Sequence, residues 1–307
     1  MRGAFLSMDN TEGWSIDADL AIPPLQALGW HIDTVPWRGP DVDWDAYDAV
    51  YIGTPWDYPE DVAHFIRTLG KIDQSGAVLV NDFELVRWGM PKTYLRDLEA
   101  RGADIVPSLW FDCLSPGQLS SFFETLCSDR LVIKPVVSTN ARDTFLLDRD
   151  NAVDKAGLLL ETFGDRAFVV QPFIENIRTE GEYSLFYFAG ACSHAVQKVP
   201  KAGDFRVQEE HGAGIRAVIP DASLVACADR ILGLVKPQPV YARCDLVRGP
   251  DGRFLLMELE LIEPSMYLRM HPDAPQRFAA AFDRYVAGEA RARPRVSASQ
   301  PTRRCRP

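Results

Sequence analysis

Several motifs that assign a function on sight are missing from this chain of 307 residues. It has no Gly-x-x-x-x-Gly-Lys-Ser/Thr loop, which excludes a Walker-type phosphate site. Its six cysteines show neither Cys-x-x-Cys spacing nor histidines at metal spacing, so a zinc site and a disulfide framework are disfavoured. No apolar run reaches the length of a membrane span, and the run near the N-terminus is too short for a signal peptide. We therefore expect a cytoplasmic protein without a membrane partner.

Basic residues are scarce over most of the chain. Acids outnumber bases by 43 to 33, which gives a net charge of −10. Residues 291–307 hold six arginines and no acid, so residues 1–290 carry the larger net charge of −16. A body this acidic repels phosphate backbones, and we expect no nucleic-acid partner. We expect the basic tail itself to be disordered.

Strand-like and helical patterns alternate over the first part of the chain. Over residues 1–88 this alternation predicts a small parallel α/β domain. Ligands of such domains bind at the carboxyl ends of the strands, so the loops at 7–14 and 54–58 are candidates for substrate contact. The alternative is that the aromatic residues of the second loop only fill a domain interface.

The rest of the chain divides by its pattern. A helix at 92–101 precedes a β-β-α-β pattern over 105–171, which predicts a small separate lobe. Long β runs separated by tight turns between 182 and 260 predict an antiparallel sheet, followed by a helix at 275–286. The predicted segments are 1–88, 89–174, 175–290 and the tail 291–307.

Two consecutive strands near the C-terminus carry the strongest local signal. Strand alternation places Glu258 and Glu260 on one face, and a tight hairpin brings Asp245 near them. Three clustered carboxylates on apolar strands need a cation, and oxygen ligands suit Mg²⁺. The alternative is a solvated strand face with salt bridges to Arg243 or Arg248.

Cations accompany these carboxylates. Lys134 ends an apolar strand, where a lysine either extends to solvent or meets an anion such as phosphate. Lys92, Lys198, Arg206 and Arg243 supply further positive charge, although each alone is more often a solvated side chain. Together with the carboxylates they describe a polyphosphate held between magnesium ions and bases.

These residues resemble the ATP-grasp carboxylate–amine ligases, particularly the branch with bacterial glutathione synthetase and the cyclo-ligase of cycloserine biosynthesis. The motifs are Ile133-Lys134-Pro135, Gln171-Pro-Phe-Ile174, Gly181-Glu182-Tyr183-Ser184, Phe205-Arg206, Arg243-Cys-Asp245 and Glu258-Leu-Glu260. The resemblance covers residues 1–286 and implies an ATP-grasp fold of class α/β. Its parts would be an N-terminal parallel pre-ATP-grasp domain, a small lid lobe and a C-terminal antiparallel lobe, with ATP between the two lobes.

The resemblance also implies roles for individual residues. ATP would contact Lys92, Lys134, Ser138, Gln171, Phe173, Ile174 and Glu182, with Phe173 and Ile174 as the adenine hinge and Glu182 on the ribose. Two magnesium ions, replaceable by Mn²⁺, would bind Asp245, Glu258 and Glu260. Lys198, Arg206 and Arg243 would meet the phosphate, the transferring group or the oxyanion. The lid loop at 138–143 lacks glycine, and Glu260 replaces a common asparagine; both departures favour the cycloserine branch over glutathione synthetase.

We therefore predict an ATP- and Mg²⁺-dependent ligase, of a kind used in antibiotic biosynthesis. It would activate a small amino-acid-like carboxylate as an acyl phosphate for attack by an amine, in another molecule or in a ring closure. This chemistry needs no Ser/His/Asp or Cys/His arrangement, and none is evident. The alternatives are a small-molecule kinase and a non-catalytic nucleotide-binding regulator, and homo-oligomerisation is left open. Glu263 and Ser265 either hold substrate or cap the turn before Tyr267.

Overall fold

Three β-sheets organise the chain in the computed structural model, which describes residues 1–292. The predicted disordered tail lies outside the described residues, except for positions 291 and 292 at the end of the last helix. Within the described part, no helix combines the length and apolar character needed to cross a bilayer. The predicted α/β class is confirmed, with one parallel and two antiparallel sheets.

The first sheet is parallel, as predicted, with strand order β2-β1-β3-β4. Its elements are β1 (Arg2–Ser7), α1 (Ile22–Ala27), β2 (His31–Pro36), β3 (Ala49–Thr54), α2 (Val62–Gln74) and β4 (Val78–Val80). Strand β3 is buried along its whole length, as expected of a parallel strand covered on both faces. The strand order reverses between β1 and β3, so the loops that follow these strands meet, and Met8 N–H donates to the Thr54 carbonyl at 3.0 Å.

Two short helices connect the first sheet to the small lobe, α3 (Phe83–Gly89) and α4 (Tyr94–Ala100). The predicted helix at 92–101 corresponds to α4, whereas α3 was not expected. Its start is set by Asp82, whose carboxylate accepts a hydrogen bond from Leu85 N–H at 2.9 Å.

The small lobe is an antiparallel sheet of order β5-β8-β6-β7. Its elements are β5 (Leu109–Phe111), α5 (Leu119–Thr125), β6 (Arg130–Pro135), β7 (Phe145–Asp148), α6 (Arg149–Asp154), α7 (Ala156–Phe163) and β8 (Phe168–Pro172). The assignment of 105–106 to this lobe was wrong. Val106 N–H donates to the Leu256 carbonyl at 3.0 Å, so this segment pairs with the C-terminal sheet, and Pro107 ends the pairing.

The C-terminal lobe is the predicted antiparallel sheet, with order β11-β10-β9-β12-β13. Its elements are α8 (Asn176–Thr179), β9 (Glu182–Phe188), β10 (Ala191–Val199), β11 (Gly214–Val218), α9 (Ala222–Gly233), β12 (Tyr241–Arg248), β13 (Phe254–Glu260) and α10 (Ala274–Ala292). Helix α9 was not predicted. Helix α10 continues through Gly288, where a helix end was expected, because one glycine costs a helix only about 1 kcal/mol.

Asn81 fastens the parallel sheet to the C-terminal sheet. This buried residue follows β4 with a φ of 61°. Its Nδ2 donates to the carbonyls of Tyr241 and Leu261 at 2.9 and 2.8 Å, and its Oδ1 accepts from Val240 N–H at 2.7 Å. The ring of Tyr51 in β3 packs edge-on against Tyr241, with centroids 5.0 Å apart. The loops of the parallel sheet are thus held against the end of β13.

Candidate active site

All of the predicted site residues except Asp245 line one cleft between the small lobe and the C-terminal sheet. They are Lys92, Lys134, Ser138, Gln171, Phe173, Ile174, Glu182, Lys198, Arg206, Arg243, Glu258 and Glu260. Strands β6 and β8 supply one wall, and β9, β10, β12 and β13 supply the other. The side chains of the first sheet's loops close one end.

Asp245 lies behind the cleft wall, under Arg243. In the β12–β13 ladder Asp245 is opposite Glu258, and Arg243 is opposite Glu260. The Arg243 guanidinium binds the Asp245 carboxylate through Nε at 3.0 Å and Nη2 at 2.9 Å, and Nη2 also donates to Glu260. Ser184 Oγ also donates to Asp245, to Oδ1 at 2.5 Å. Alternation therefore brought the three carboxylates together, and Arg243 separates Asp245 from the cleft.

Two lysines complete this group. Lys198 Nζ lies 2.9 Å from Glu182 and 3.6 Å from Asp245. Lys92 Nζ lies 2.8 Å from Glu258 and donates to the Ser138 carbonyl at 3.1 Å. We call Lys92, Glu182, Lys198, Arg243, Asp245, Glu258 and Glu260 the charge cluster. In this arrangement Glu182, predicted on the ribose, is paired with Lys198.

Pairing sets the protonation of the charge cluster. Burial alone would raise the pKa of Asp245, but Arg243 and Lys198 hold it at about 2. Burial and Arg243 oppose a charged Lys198, yet Asp245 and Glu182 raise its pKa to about 12. Glu260 differs, because burial, together with repulsion from Glu258 and Asp245, outweighs Arg243 and raises its pKa to about 7. The face of β13 that borders the cleft therefore favours an added cation.

Lys134 is the buried cation that stands apart. Its side chain, at the end of β6, is 8% exposed. Within residues 1–292 its ammonium forms neither an ion pair nor a hydrogen bond, and burial lowers its pKa. An anion bound in the cleft would compensate this charge.

The donor chemistry of the cleft fits Mg²⁺ better than a metal caged by protein alone. Among the described residues, no three His, Cys, Asp or Glu side chains converge closely enough to hold an ion. Glu258 and Glu260 offer carboxylate oxygens on one face of β13, and Mg²⁺ characteristically combines one or two carboxylates with substrate phosphates. These two side chains would hold the ion, while Asp245 is committed to Arg243, Lys198 and Ser184.

Arg206 is in the cleft but does not contact the charge cluster. It belongs to the loop at 200–213 between β10 and β11, and its guanidinium binds Asp204 through Nε at 3.1 Å and Nη2 at 2.8 Å. The hydrogen bonds from Arg206 hold the pKa of Asp204 far below its usual range. Asp204 engages Nε and Nη2, which leaves Nη1 of Arg206 available to a phosphate or oxyanion.

The predicted adenine hinge follows β8 directly. The ring of Phe173 is covered by the guanidinium groups of Arg130 and Arg178, at 5.3 and 4.9 Å from its centroid. Phe173 N–H already donates to the Arg130 carbonyl at 2.9 Å, which leaves the Ile174 amide as the hinge donor. Gln171 is buried and donates to Ser108 Oγ at 2.9 Å.

The glycine-free lid loop at 138–143 places ordinary residues in the left-handed region. They are Asn140, Ala141 and Asp143, with φ of 50°, 53° and 54°. Thr139 Oγ1 donates to the Trp56 carbonyl at 2.7 Å, and His211 Nε2 lies 3.2 Å from the Asn140 carbonyl. The lid loop thus contacts both the first sheet's loops and the 200–213 loop.

The loops of the parallel sheet close one end of the cleft with aromatic rings. Trp14 and Trp56 have ring centroids 5.0 Å apart, and Tyr58, whose ring stacks on Phe65, also lines the cleft. Trp56 Nε1 donates to the carbonyl of Glu263, whose side chain also lines the cleft. We call Trp14, Trp56, Tyr58 and Glu263 the aromatic end. Asp9, on the same loop as Trp14, is exposed and does not line the cleft.

Sequence reasoning left Glu263 undecided between a substrate contact and a turn cap. The residue is 9% exposed, and burial together with Glu260 raises its pKa well above the usual range. The signal in the sequence was an acid three residues beyond Glu260 in an otherwise apolar stretch. Its burial could not be read from that stretch, because the covering side chains come from the first sheet.

Known proteins resemble this chain along most of its length. A family model for the N-terminal domain of D-cycloserine synthetase DcsG matches residues 4–81. The cycloserine biosynthesis protein DcsG of Streptomyces lavendulae is 30% identical over 293 residues, which cover 88% of this chain and 95% of that protein.

Solved structures of related proteins superpose on this chain over most of its length. The crystal structure of D-cycloserine synthetase DcsG superposes with a TM-score of 0.81 at 27% identity, over 93% of this chain and all of the other. The ATP-grasp ligase PsnB, solved with a minimal precursor, Mg and ADP, superposes with a TM-score of 0.62 at 14% identity, over 93% of this chain and 98% of that one. The expected ATP-grasp fold and the resemblance are both confirmed. The chain belongs to the ATP-grasp ligase superfamily, close to D-cycloserine synthetase, and is a C–N bond-forming ligase.

Proposed function

We propose that this chain uses ATP and Mg²⁺ to activate a small amino-acid-like carboxylate as an acyl phosphate, which an amine then attacks. The observation that carries the proposal is the cleft that Lys134 lines together with Glu258 and Glu260. Burial of the Lys134 ammonium without an ion-pair or hydrogen-bond partner is costly, and a bound phosphate would supply that partner, while a metal ion would compensate Glu258 and Glu260. Magnesium nucleotide supplies both.

The nucleotide would lie with its phosphates beside Lys134 and Lys92. Ile174 N–H is the proposed adenine donor, since Phe173 N–H is already bonded. Two Mg²⁺ ions, for which Mn²⁺ can substitute, would be held by Glu258 and Glu260. Bound Mg²⁺ would offset the charge of the β- and γ-phosphates during transfer.

The remaining cationic residues would act on the substrate carboxylate and its acyl phosphate. A substrate carboxylate oxygen forms a bond to the γ-phosphorus and ADP leaves, which gives the acyl phosphate. The amine nitrogen then adds to the acyl carbon, and phosphate departs as the amide forms. Arg243 is held by Asp245 and Glu260 against the cleft, where its guanidinium can stabilise the oxyanion of the tetrahedral intermediate. Lys198 and Nη1 of Arg206 are the proposed contacts to the transferring phosphoryl group.

Ring closure is the proposed outcome, by analogy with the relative that is a D-cycloserine synthetase. The cycloserine ring contains an amide between a carboxyl carbon and an oxyamine nitrogen of one molecule, so the attack is intramolecular. The lid loop at 138–143, which contacts both Trp56 and His211, would exclude water from the acyl phosphate. A cytoplasmic location and the absence of a nucleic-acid partner are expectations from the sequence alone. Homo-oligomerisation is left open.

The test is a panel of amino acids of both configurations, with and without a β-aminooxy group, assayed with ATP and Mg²⁺. A ligase releases ADP and phosphate in equal amounts and yields an amide, which mass spectrometry identifies. ADP without free phosphate and with a phosphorylated product would identify a kinase instead. No substrate-dependent ADP release from any member would refute the proposed ligase activity.

A further inference from the structure

The aromatic end of the cleft contains a buried carboxyl that the proposed phosphate chemistry does not use. Glu263 is 9% exposed and lines the cleft. Within residues 1–292 it forms no ion pair, and its carboxyl accepts no hydrogen bond from another residue. Lys92 is a nearby cation, but it is paired with Glu258 at 2.8 Å.

A second polar group at this end also lacks a partner. Tyr58 is 3% exposed and lines the same cleft, and its hydroxyl forms no hydrogen bond within the described part of the chain. Glu263 is the carboxylate that acts most strongly on this phenol, ahead of Glu258 and Glu260. The Glu263 carboxyl and the Tyr58 hydroxyl therefore lie near each other in the lining of the cleft, and both remain open to it. A ligand with hydrogen-bonding groups can bind them there.

The surroundings select a cation as that ligand. The indole N–H of Trp56 donates to the backbone carbonyl of Glu263 at 2.8 Å, which fixes this ring against the Glu263 backbone, and the ring centroids of Trp14 and Trp56 are 5.0 Å apart. Aromatic faces attract ammonium groups, and a buried carboxylate is stabilised by a cationic partner.

The position also suits an α-amino acid. Glu263 follows Glu260 by three residues, so the aromatic end adjoins the face of β13 where the carboxylate would be activated. An α-amino acid carries its ammonium and carboxylate on one carbon. An ammonium at Glu263 thus directs the carboxylate toward Glu260 and Arg243.

We propose that Glu263 binds the α-ammonium group of the substrate, with Trp14, Trp56 and Tyr58 forming the walls of this subsite. The assignment of an amino acid as substrate rests on the proposed function, whereas ammonium binding can be measured without turnover. Glu263 is then the residue that selects amino acids over simple carboxylates.

Calorimetry with two probes tests this inference. D-Cycloserine and isoxazolidin-3-one share one ring, and only the first carries an amino group. At pH 6.5 with saturating MgADP, the wild-type protein should bind D-cycloserine at least about tenfold more tightly than isoxazolidin-3-one. Glu263→Gln should abolish this difference while leaving the affinities for isoxazolidin-3-one and MgADP unchanged, and Glu263→Asp should retain part of it. Asp9→Asn, which changes an exposed acid on the Trp14 loop, is the matched control and should behave as wild type.

Several results would overturn the inference. Equal affinities of the wild-type protein for D-cycloserine and isoxazolidin-3-one would overturn it, and this result does not depend on the folding of Glu263→Gln. A folded Glu263→Gln that keeps the full preference for D-cycloserine would also overturn it. A raised Mg²⁺ requirement for ADP binding in Glu263→Gln would make Glu263 a metal ligand instead. Turnover of a panel substrate with unchanged KM in Glu263→Gln would refute ammonium binding but leave the ligase intact. Ammonium selectivity without ADP release would refute the ligase and leave the subsite.

Discussion

At the charge cluster, every carboxylate has a cation within hydrogen-bond or ion-pair distance, whereas Glu263, at the aromatic end, has none within the described residues. Both groups border the same cleft, except for Asp245, which lies behind its wall. The charge cluster comes largely from the hairpin β12–β13 and its neighbours β9 and β10, while the aromatic end is closed by loops of another sheet. The paired charges of the charge cluster give a stable site for a nucleotide. The unpaired carboxyl of Glu263 is available to a ligand and can select among substrates.

The largest expected effect concerns stability at the charge cluster. Asp245→Asn should lower the free energy of unfolding by about 3–5 kcal/mol, because Arg243 and Lys198 lose a buried counter-charge. Denaturant titration measures the change. Asp73→Asn, an exposed acid on α2, should be neutral. A loss below about 1 kcal/mol for Asp245→Asn would show that the cluster is not balanced by this residue.

Next in size is the loss of a proposed metal ligand. Glu258→Gln should reduce the rate of ADP release at least about 100-fold, since Mg²⁺ coordination contributes several kcal/mol to phosphoryl transfer. The assay is steady-state ADP release on the best panel substrate at saturating Mg²⁺, with the exposed Glu161→Gln as control. Full activity of Glu258→Gln would remove Glu258 from the metal site.

A smaller effect is expected at Lys134. Lys134→Met should weaken ATP binding at least about tenfold, because a charge-assisted hydrogen bond to phosphate contributes about 1.5–3 kcal/mol. Its free energy of unfolding should not fall, since within residues 1–292 Lys134 has no ion pair to lose. Calorimetric titration with MgADP or a non-hydrolysable ATP analogue measures the affinity, and the exposed Lys71→Met is the control. Unchanged affinity would place the phosphates elsewhere.

The smallest expected change in stability is at Glu263, and it distinguishes the aromatic end from the charge cluster most clearly. Glu263→Gln should leave the free energy of unfolding within about 0.5 kcal/mol of wild type or raise it, because no ion pair within the described chain is broken. The same denaturant titration serves as for Asp245→Asn. A loss of several kcal/mol would mean that Glu263 is a structural residue, like Asp245.

Many of the strands and the shared face of the carboxylates could be predicted from the sequence, whereas the segment at 105–106 and helix α9 were not predicted correctly. Alternation predicted β12 and β13 and placed Glu258 and Glu260 on one face, because the side-chain period of a strand is local. The segment at 105–106 looked like a strand of the small lobe, but it pairs with Leu256, about 150 positions away. Helix α9 was overlooked although Asp221 caps it and its apolar residues recur at helical spacing.

By itself, the sequence determined most of the strands, the face that the carboxylates share and the membership of the ATP-grasp superfamily, since these follow from local period and motif. Only the tertiary structure decided which charges are paired. Lys92 reaches Glu258 from a different segment of the chain, Arg243 covers Asp245, and Trp56 closes over Glu263 from another sheet. The reason is physical. Alternation fixes where a side chain points, but the cost of its charge depends on what distant segments bring near it.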